Sequence, residues 1–178
     1  VNINFRMDST ALYSDVVLPS AHWYEKLDLN VTMEHTYINM TGPAIKPMWE
    51  SKTEWQIFLE LSKKVENAAK RKNFEKFNDE QFKWVRDLSN LWNLMTENGK
   101  LEADEAAAQY ILDNAPQSKG ITLQMLREKP QRFKANWTSP MQEGVPYTPF
   151  KNYIVDKKPW PTLTGRQQFY FDHDTFFD

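Results

Sequence analysis

The apolar run Val16-Val17-Leu18 is short and partly β-branched, and it stops at Pro19. Proline has no backbone N–H and a fixed φ, so neither a helix nor a central strand runs through it. Bounded by Asp15 and Pro19, the run reads as a brief buried strand rather than a piece of helix. The chain then turns into an aromatic and charged cluster, Trp23-Tyr24-Glu25-Lys26, and a polar segment rich in Asn and Thr. An open α/β sheet places ligand-binding groups in such a loop, because the carboxyl ends of its strands face a crevice. Ser9 to Trp55 is therefore the stretch in which to look for function.

The flanking sequence supports that organisation. Val1 to Phe5 predicts another short strand, and Asp8 to Leu12 a turn into one or two helical turns. From Lys26 to Trp49 the chain is loop-like, broken by Gly42-Pro43 and Pro47, with Thr36-Tyr37-Ile38 able to pair as a strand. Ser51-Lys-Thr-Glu54 has the pattern of a capping box. It predicts a helix with Trp55, Phe58, Leu59, Leu61 and Val65 largely on one face. Asn78 precedes a second predicted helix carrying Phe82, Val85, Leu88, Leu91, Trp92 and Met95, closed by Gly99. Glu102 to Leu112 reads as an Ala-rich third helix that must end before Pro116. Thr122 caps a short fourth through Arg127. From Lys129 onward the prolines at 130, 140, 146, 149, 159 and 161 leave an irregular, stiffened segment. Gln167 to Phe171 reads as a last strand after the turn at Thr164-Gly165, and no internal repeat is present.

Composition removes several classes of function. Seven Trp and eleven Phe favour a packed core, while a net charge of -2 gives no field for nucleic acid or an anionic membrane surface. The basic residues between Lys63 and Lys72 are interrupted by Glu66, with Glu60 just upstream, as on a solvated helix face. No apolar run is long enough to span a bilayer. The absence of cysteine excludes disulfides, thiol nucleophiles and a cysteine-bound cluster within this segment, and leaves the redox compartment open. His22, His35 and His173 have no metal-ligand spacing. The usual phosphate-loop, dinucleotide and nucleophile-elbow patterns do not occur. The Asn-x-Thr triplets at Asn30, Asn39 and Asn136 are read as chance. The first residues resemble a strand already in progress, with no charged leader, so the chain is expected to be a piece of something longer.

Two side chains in the loop stand out chemically. Glu25 and Lys26 are adjacent and point apart on an extended chain. Lys26 would suit a phosphate or carbonyl of a bound group as a compact point charge, although spacing alone leaves a solvated lysine equally open. Glu54 has its capping role, and its carboxylate can also accept two parallel N–H bonds, the way a guanine edge is gripped.

STALYSDVVLP, WYEK and WESKTEW, in that order, resemble the large catalytic subunit of molybdopterin-dependent oxidoreductases of the dimethyl-sulfoxide-reductase superfamily. The branch most similar is that of respiratory nitrate reductase and nitrite oxidoreductase α subunits. The stretch Pro159 to Asp174 is similar to the segment preceding that branch's C-terminal β-barrel. The resemblance covers the two ends; between about Asn67 and Gln131 only general character matches.

The resemblance implies an α/β fold: the C-terminal part of a Rossmann-like cofactor-binding domain, a helical insertion and a proline-rich linker. The expected parts are residues 1–66 in the domain that holds molybdopterin guanine dinucleotide, 67–128 as the insertion, and 129–178 leading toward the barrel, itself absent. It implies bis-molybdopterin guanine dinucleotide with molybdenum, and a 4Fe–4S cluster in the parent chain that this segment does not ligate. Carried over residue by residue, cofactor binding falls to Ile3 through its backbone, Asn4 (where relatives often have Asp), Lys26 and Glu54. No catalytic or metal-ligating residue falls in this segment.

The implied reaction is interconversion of nitrate and nitrite by oxygen-atom transfer, in anaerobic respiration or nitrogen metabolism. Relatives acting on chlorate, perchlorate, selenate or a hydrocarbon are the alternatives, and a non-catalytic helical scaffold is a reading of a different class. Implied partners are the rest of the catalytic subunit, an iron–sulfur β subunit and, as a further candidate, a haem-bearing γ subunit. Neither nucleic acid nor a direct membrane span is expected. The setting is a membrane-associated complex, on a face the resemblance does not choose.

Overall fold

The computed structural model describes every residue except 33–34, 75, 133–138, 140–144, 146, 168 and 170–178. It divides into two compact units, Val1–Phe133 and Lys134–Asp178.

The first unit begins with a parallel pair, β1 (Asn2–Asn4) and β2 (Val17–Pro19), in the register Ile3 opposite Leu18. Between them lies α1 (Ser9–Leu12), capped by Asp8, whose Oδ1 accepts from the Ala11 N–H at 2.8 Å. The ladder continues past Pro19. Ser20 N–H donates to the Asn4 carbonyl at 3.1 Å, and Ser20 itself bridges in parallel to Lys52. Lys52 N–H donates to the Pro19 carbonyl at 3.3 Å, and Ala21 N–H to the Lys52 carbonyl at 2.7 Å.

That bridge decides where the next helix starts. Lys52 is held in a sheet-like ladder, so helical dihedrals begin only after it. The helix is α2 (Glu54–Arg71), and its N-cap is Thr53, whose hydroxyl accepts from the Gln56 N–H at 3.2 Å. The capping box predicted at Ser51–Glu54 is not formed. Ser51 Oγ instead donates to the Met48 carbonyl at 2.6 Å, and Glu54 occupies the first helical position.

The segment expected to be loop between Lys26 and Trp49 contains an antiparallel hairpin, β3 (Asp28–Val31) and β4 (Tyr37–Thr41). Only its second arm had a local signal. The other edge of β4 pairs with β7 (Gln131–Arg132), some ninety residues away in the chain, a partner that no local pattern announces.

Helix α2 buries Ile57, Leu59, Ser62, Glu66 and Ala69. Phe58 and Leu61 are exposed, so the buried face is rotated from the one predicted. It packs on a 3₁₀ turn (Leu88–Asn90) and on α3 (Leu91–Thr96). Glu66 sits at this contact and serves as a cap for the facing helix. Its carboxylate accepts from the Trp92 N–H at 2.8 Å and pairs with Lys70 one turn on.

The Lys70 hydrogen bond, with the Trp92 N–H beside it, holds the Glu66 carboxyl below its ordinary 4.5 despite burial. The folded chain therefore binds fewer protons here than the unfolded one near that pH. This stabilisation is complete above the unfolded value and is lost as pH falls through the folded one. Glu66→Gln keeps an acceptor for Trp92 but cannot titrate. In the folded protein it should flatten the acid-side loss of hydrogen-exchange protection across α2 and α3. An unchanged acid slope would refute this role.

The helix predicted from Asn78 is instead a hairpin, β5 (Phe77–Asp79) with β6 (Trp84–Arg86). Asp79 Oδ1 closes the turn by accepting from the Gln81 and Phe82 N–H groups, each at 3.1 Å, and Arg86 Nε reaches its other oxygen at 2.9 Å. A local side-chain acceptor that satisfies turn amides competes directly with helix formation. What survives of the predicted helix is α3, ended by Glu97 in the left-handed region, two residues before Gly99.

Two predictions for the helical part hold. α4 (Asp104–Asn114) ends before Pro116, and α5 (Leu123–Glu128) is capped by Thr122, which accepts from the Met125 N–H at 3.2 Å. Leu112 of α4 is fully buried, and Ala108, Leu123 and Leu126 are buried with it.

The second unit contains α6 (Lys151–Ile154), whose first N–H donates to Ser139 Oγ at 2.8 Å. Tyr153 stacks on Trp160 with ring centroids 4.2 Å apart, and Phe150 flanks both. The strand predicted at Gln167–Phe171 falls mostly outside the described residues.

Candidate functional site

Lys26 leaves a tight turn that separates it from its neighbour. Glu25 N–H donates to the His22 carbonyl at 2.8 Å, and Glu25 Oε2 accepts from the His22 N–H at 2.9 Å, so Glu25 folds back onto its own turn. Lys26 enters the interior with only 6% of its surface exposed. Its Nζ lies 2.6 Å from Glu54 Oε2 and 3.6 Å from Asp28 Oδ2. A loop lysine and the first residue of α2 thus meet across 28 positions of sequence.

Around this pair is a cleft of about 200 Å³, formed by the start of β3, the first turn of α2 and one side of α4. Its polar lining is Lys26, Asp28, Thr53, Glu54 and Asp104, and Leu29, Trp55 and Ile111 contribute apolar wall. The Trp55 indole N–H donates to the Leu101 carbonyl at 2.7 Å, which ties α2 to the segment leading into α4. Asp104, at the first position of α4, accepts from Thr53 Oγ1 at 2.7 Å and from Gln56 Nε2 at 3.1 Å.

One cation faces three carboxylates. Burial pushes the Asp104 carboxyl above its ordinary value; the Thr53 hydrogen bond opposes this and the negative charge of Glu54 adds to it. Lys26 spends its charge inside the chain, on Glu54 and Asp28. Glu54 remains 44% exposed, and among the described residues no hydrogen bond reaches its Oε1.

Of the residues predicted from sequence, Lys26 and Glu54 come together and Ile3 and Asn4 do not join them. Ile3 and Asn4 lie in β1 and do not line the cleft. Asn4 Nδ2 donates to Asp8 Oδ2 at 2.8 Å, and its carbonyl is taken by Ser20. The residues missed were Asp28 and Asp104. Asp28 had a signal, since residues two apart on an extended chain share a side. Asp104 had none beyond an acid in a first helical turn, a common feature with its own electrostatic reason.

The donor set tests what the cleft can hold. Acceptor oxygens with apolar walls suit a planar base that presents N–H groups, and the Glu54 oxygen not bonded to Lys26 is placed to accept from such an edge. Phosphates are disfavoured by a lining of net negative charge. The volume is also below the roughly 300–1,000 Å³ of pockets that enclose a drug-sized ligand. The residues therefore fit the base of a guanine nucleotide and not its pyrophosphate. Among the described residues, no group of three or more His, Cys, Asp and Glu is arranged to hold a metal ion, and no helix is long and apolar enough to cross a membrane.

Residues 1–64 match the family model described as molybdopterin oxidoreductase. The whole chain is 84% identical to the perchlorate reductase subunit alpha of Dechloromonas aromatica (strain RCB) and covers 19% of that protein. It is 44% identical, over 193 aligned positions, to the respiratory nitrate reductase subunit alpha of Haloferax mediterranei, covering 100% of this chain and 20% of that one. With the chlorate reductase subunit alpha of Ideonella dechloratans it shares 38% identity over 182 positions, 99% of this chain and 20% of that one. The chain spans about a fifth of the length of the curated relatives it matches.

Proposed function

The chain belongs to the molybdopterin oxidoreductase family, and on that premise we propose that it is part of the catalytic α subunit of an oxyanion reductase acting on perchlorate and chlorate. The observation that carries this reading is the 84% identity, along all 178 residues, to a perchlorate reductase subunit. The nitrate–nitrite reading expected from the resemblance becomes the second one, favoured by the 44% identity to a nitrate reductase subunit.

The family uses molybdenum held by molybdopterin guanine dinucleotide. When bound, that centre supplies oxygen-atom transfer coupled to two electrons, and the protein supplies binding and orientation. In this chain Glu54 would accept the N–H edge of one guanine through its free oxygen. Lys26 fixes the other oxygen of that carboxylate and offsets part of the negative lining. Leu29 and Ile111 would flank the base and exclude water. The parallel pair β1–β2 is the piece of a Rossmann-like sheet this chain would contribute, with Ile3 and Asn4 at its end toward the ribose. Residues 67–128 are the insertion, which supplies the wall of α4, and 129–178 the linker. The rest of the subunit would hold the metal ligand and the iron–sulfur cluster, and a β subunit, with a haem-bearing γ subunit beyond it, would carry the electrons. We place the assembly at a membrane.

Purification of the complex containing this chain, followed by turnover with a common reduced dye, tests the reading. Perchlorate and chlorate should be reduced with higher kcat/KM than nitrate, by a preparation that contains molybdenum and iron. Nitrate turnover without perchlorate turnover would transfer the assignment to the second reading.

A further inference from the structure

Asp104 lies forty residues beyond the segment that matches the family model, yet its carboxylate is seated at the first turn of α2 beside Glu54. The detail of its contacts suggests what it does there. The Thr53 hydroxyl accepts from the Gln56 N–H, which requires a lone pair aimed into the helix. A hydroxyl has one proton, and here that proton is donated to Asp104 at 2.7 Å. Asp104 thereby sets the rotation of the cap hydroxyl. Its second oxygen accepts from the Gln56 side chain, so both oxygens grip the turn on which Glu54 stands. Thr53 is itself buried.

We propose that Asp104 is a positioning residue of the nucleotide-holding site: by gripping Thr53 and Gln56 it fixes the first turn of α2 and so aims the Glu54 carboxylate at a guanine base. This rests on the family reading above and adds to it a residue from the helical segment. Asp104 does not contact the base; it acts through Glu54. The groups facing it are Thr53 and Gln56 by hydrogen bond, and Glu54, Lys26 and Asp28 by charge.

The test uses the full-length subunit in its complex, with guanosine monophosphate released by acid and molybdenum both counted per subunit. Asp104→Ala should lower the two together, roughly fivefold, the scale of losing a helix cap. Thr53→Val should do the same. The Thr53→Val variant serves if the Asp104→Ala variant fails to accumulate, and Asp104→Glu should restore part of the content. Because the effect passes through Glu54, the double variant Asp104→Ala/Glu54→Ala should lose no more nucleotide than Glu54→Ala alone. Additive losses, or full nucleotide content in both Asp104→Ala and Thr53→Val, would overturn the proposal while the family reading stands. A wild-type complex with neither molybdenum nor guanine nucleotide would remove both.

Discussion

Lys26→Ala in the complete complex is expected to lower molybdenum and guanine-nucleotide content together, and activity with them. The reason is a charge count. Among the described residues, Lys26 is the only cation lining a cleft that also holds Asp28, Glu54 and Asp104. Removing it leaves three carboxylates with no compensating charge and frees the oxygen by which Glu54 is held. Truncating one partner of a buried hydrogen-bonded pair costs about 2–5 kcal/mol, much of it the penalty on the group left behind. Here that group is Glu54, 44% exposed, which water can reach once the lysine is gone. The cost therefore falls at the lower end, ~2 kcal/mol, or about thirtyfold in cofactor affinity. Lys26→Arg should not restore it, because a planar fork does not fit where a compact ammonium is 6% exposed. Metal analysis and nucleotide release on the purified variant read the result. Full content with unchanged activity in Lys26→Ala would take the lysine out of the site.

Leu112→Ala gives the largest expected loss of stability. Leu112 has no exposed surface and lies on α4, the helix whose first residue is Asp104. Emptying a fully buried leucine site costs about 2–5 kcal/mol, the lost transfer energy plus the cavity left behind. The loss should appear as faster amide exchange across α4 and α5 in the full-length subunit, by roughly a hundredfold if the cost is near 3 kcal/mol. A second effect follows from the geometry. A loosened α4 presents Asp104 less well, so nucleotide content should fall too, by less than in Lys26→Ala. Wild-type exchange in α4 would show that other residues hold the helix in place.

What the sequence could and could not say divides along the range of the interactions involved. Asp8, Thr122 and the stop before Pro116 were legible because each acts on amides within a few residues of itself. The meeting of Lys26 with Glu54 was legible only as two separate candidates, since nothing local says that they touch. The start of α2 was misplaced because a backbone bridge from Ser20 keeps Lys52 extended, a constraint arriving from thirty residues upstream. The apolar spacing that predicts helix after Asn78 does not distinguish it from a hairpin, and Asp79 decides for the hairpin by accepting from the turn amides of Gln81 and Phe82. Asp104 was invisible for the same reason that it is informative. Its partners Thr53 and Gln56 lie some fifty residues away, and the fold alone brings them together.

The bridge between Ser20 and Lys52 has a consequence for how this region can change over time. It staples the exit of β2 to the entry of α2 through main-chain atoms, so it does not depend on which side chains stand there, proline excepted. The thirty-odd residues that leave at Ala21 and return at Ser51 form a closed excursion, with its own hairpin in the middle. Doubling the length of such an excursion adds only about 0.6 kcal/mol of closure entropy. The tip between β3 and β4, and the stretch after β4, are therefore free to lengthen or shorten while the helix start stays in place. Variation in length is expected to collect there, and the position of Glu54 to outlast it.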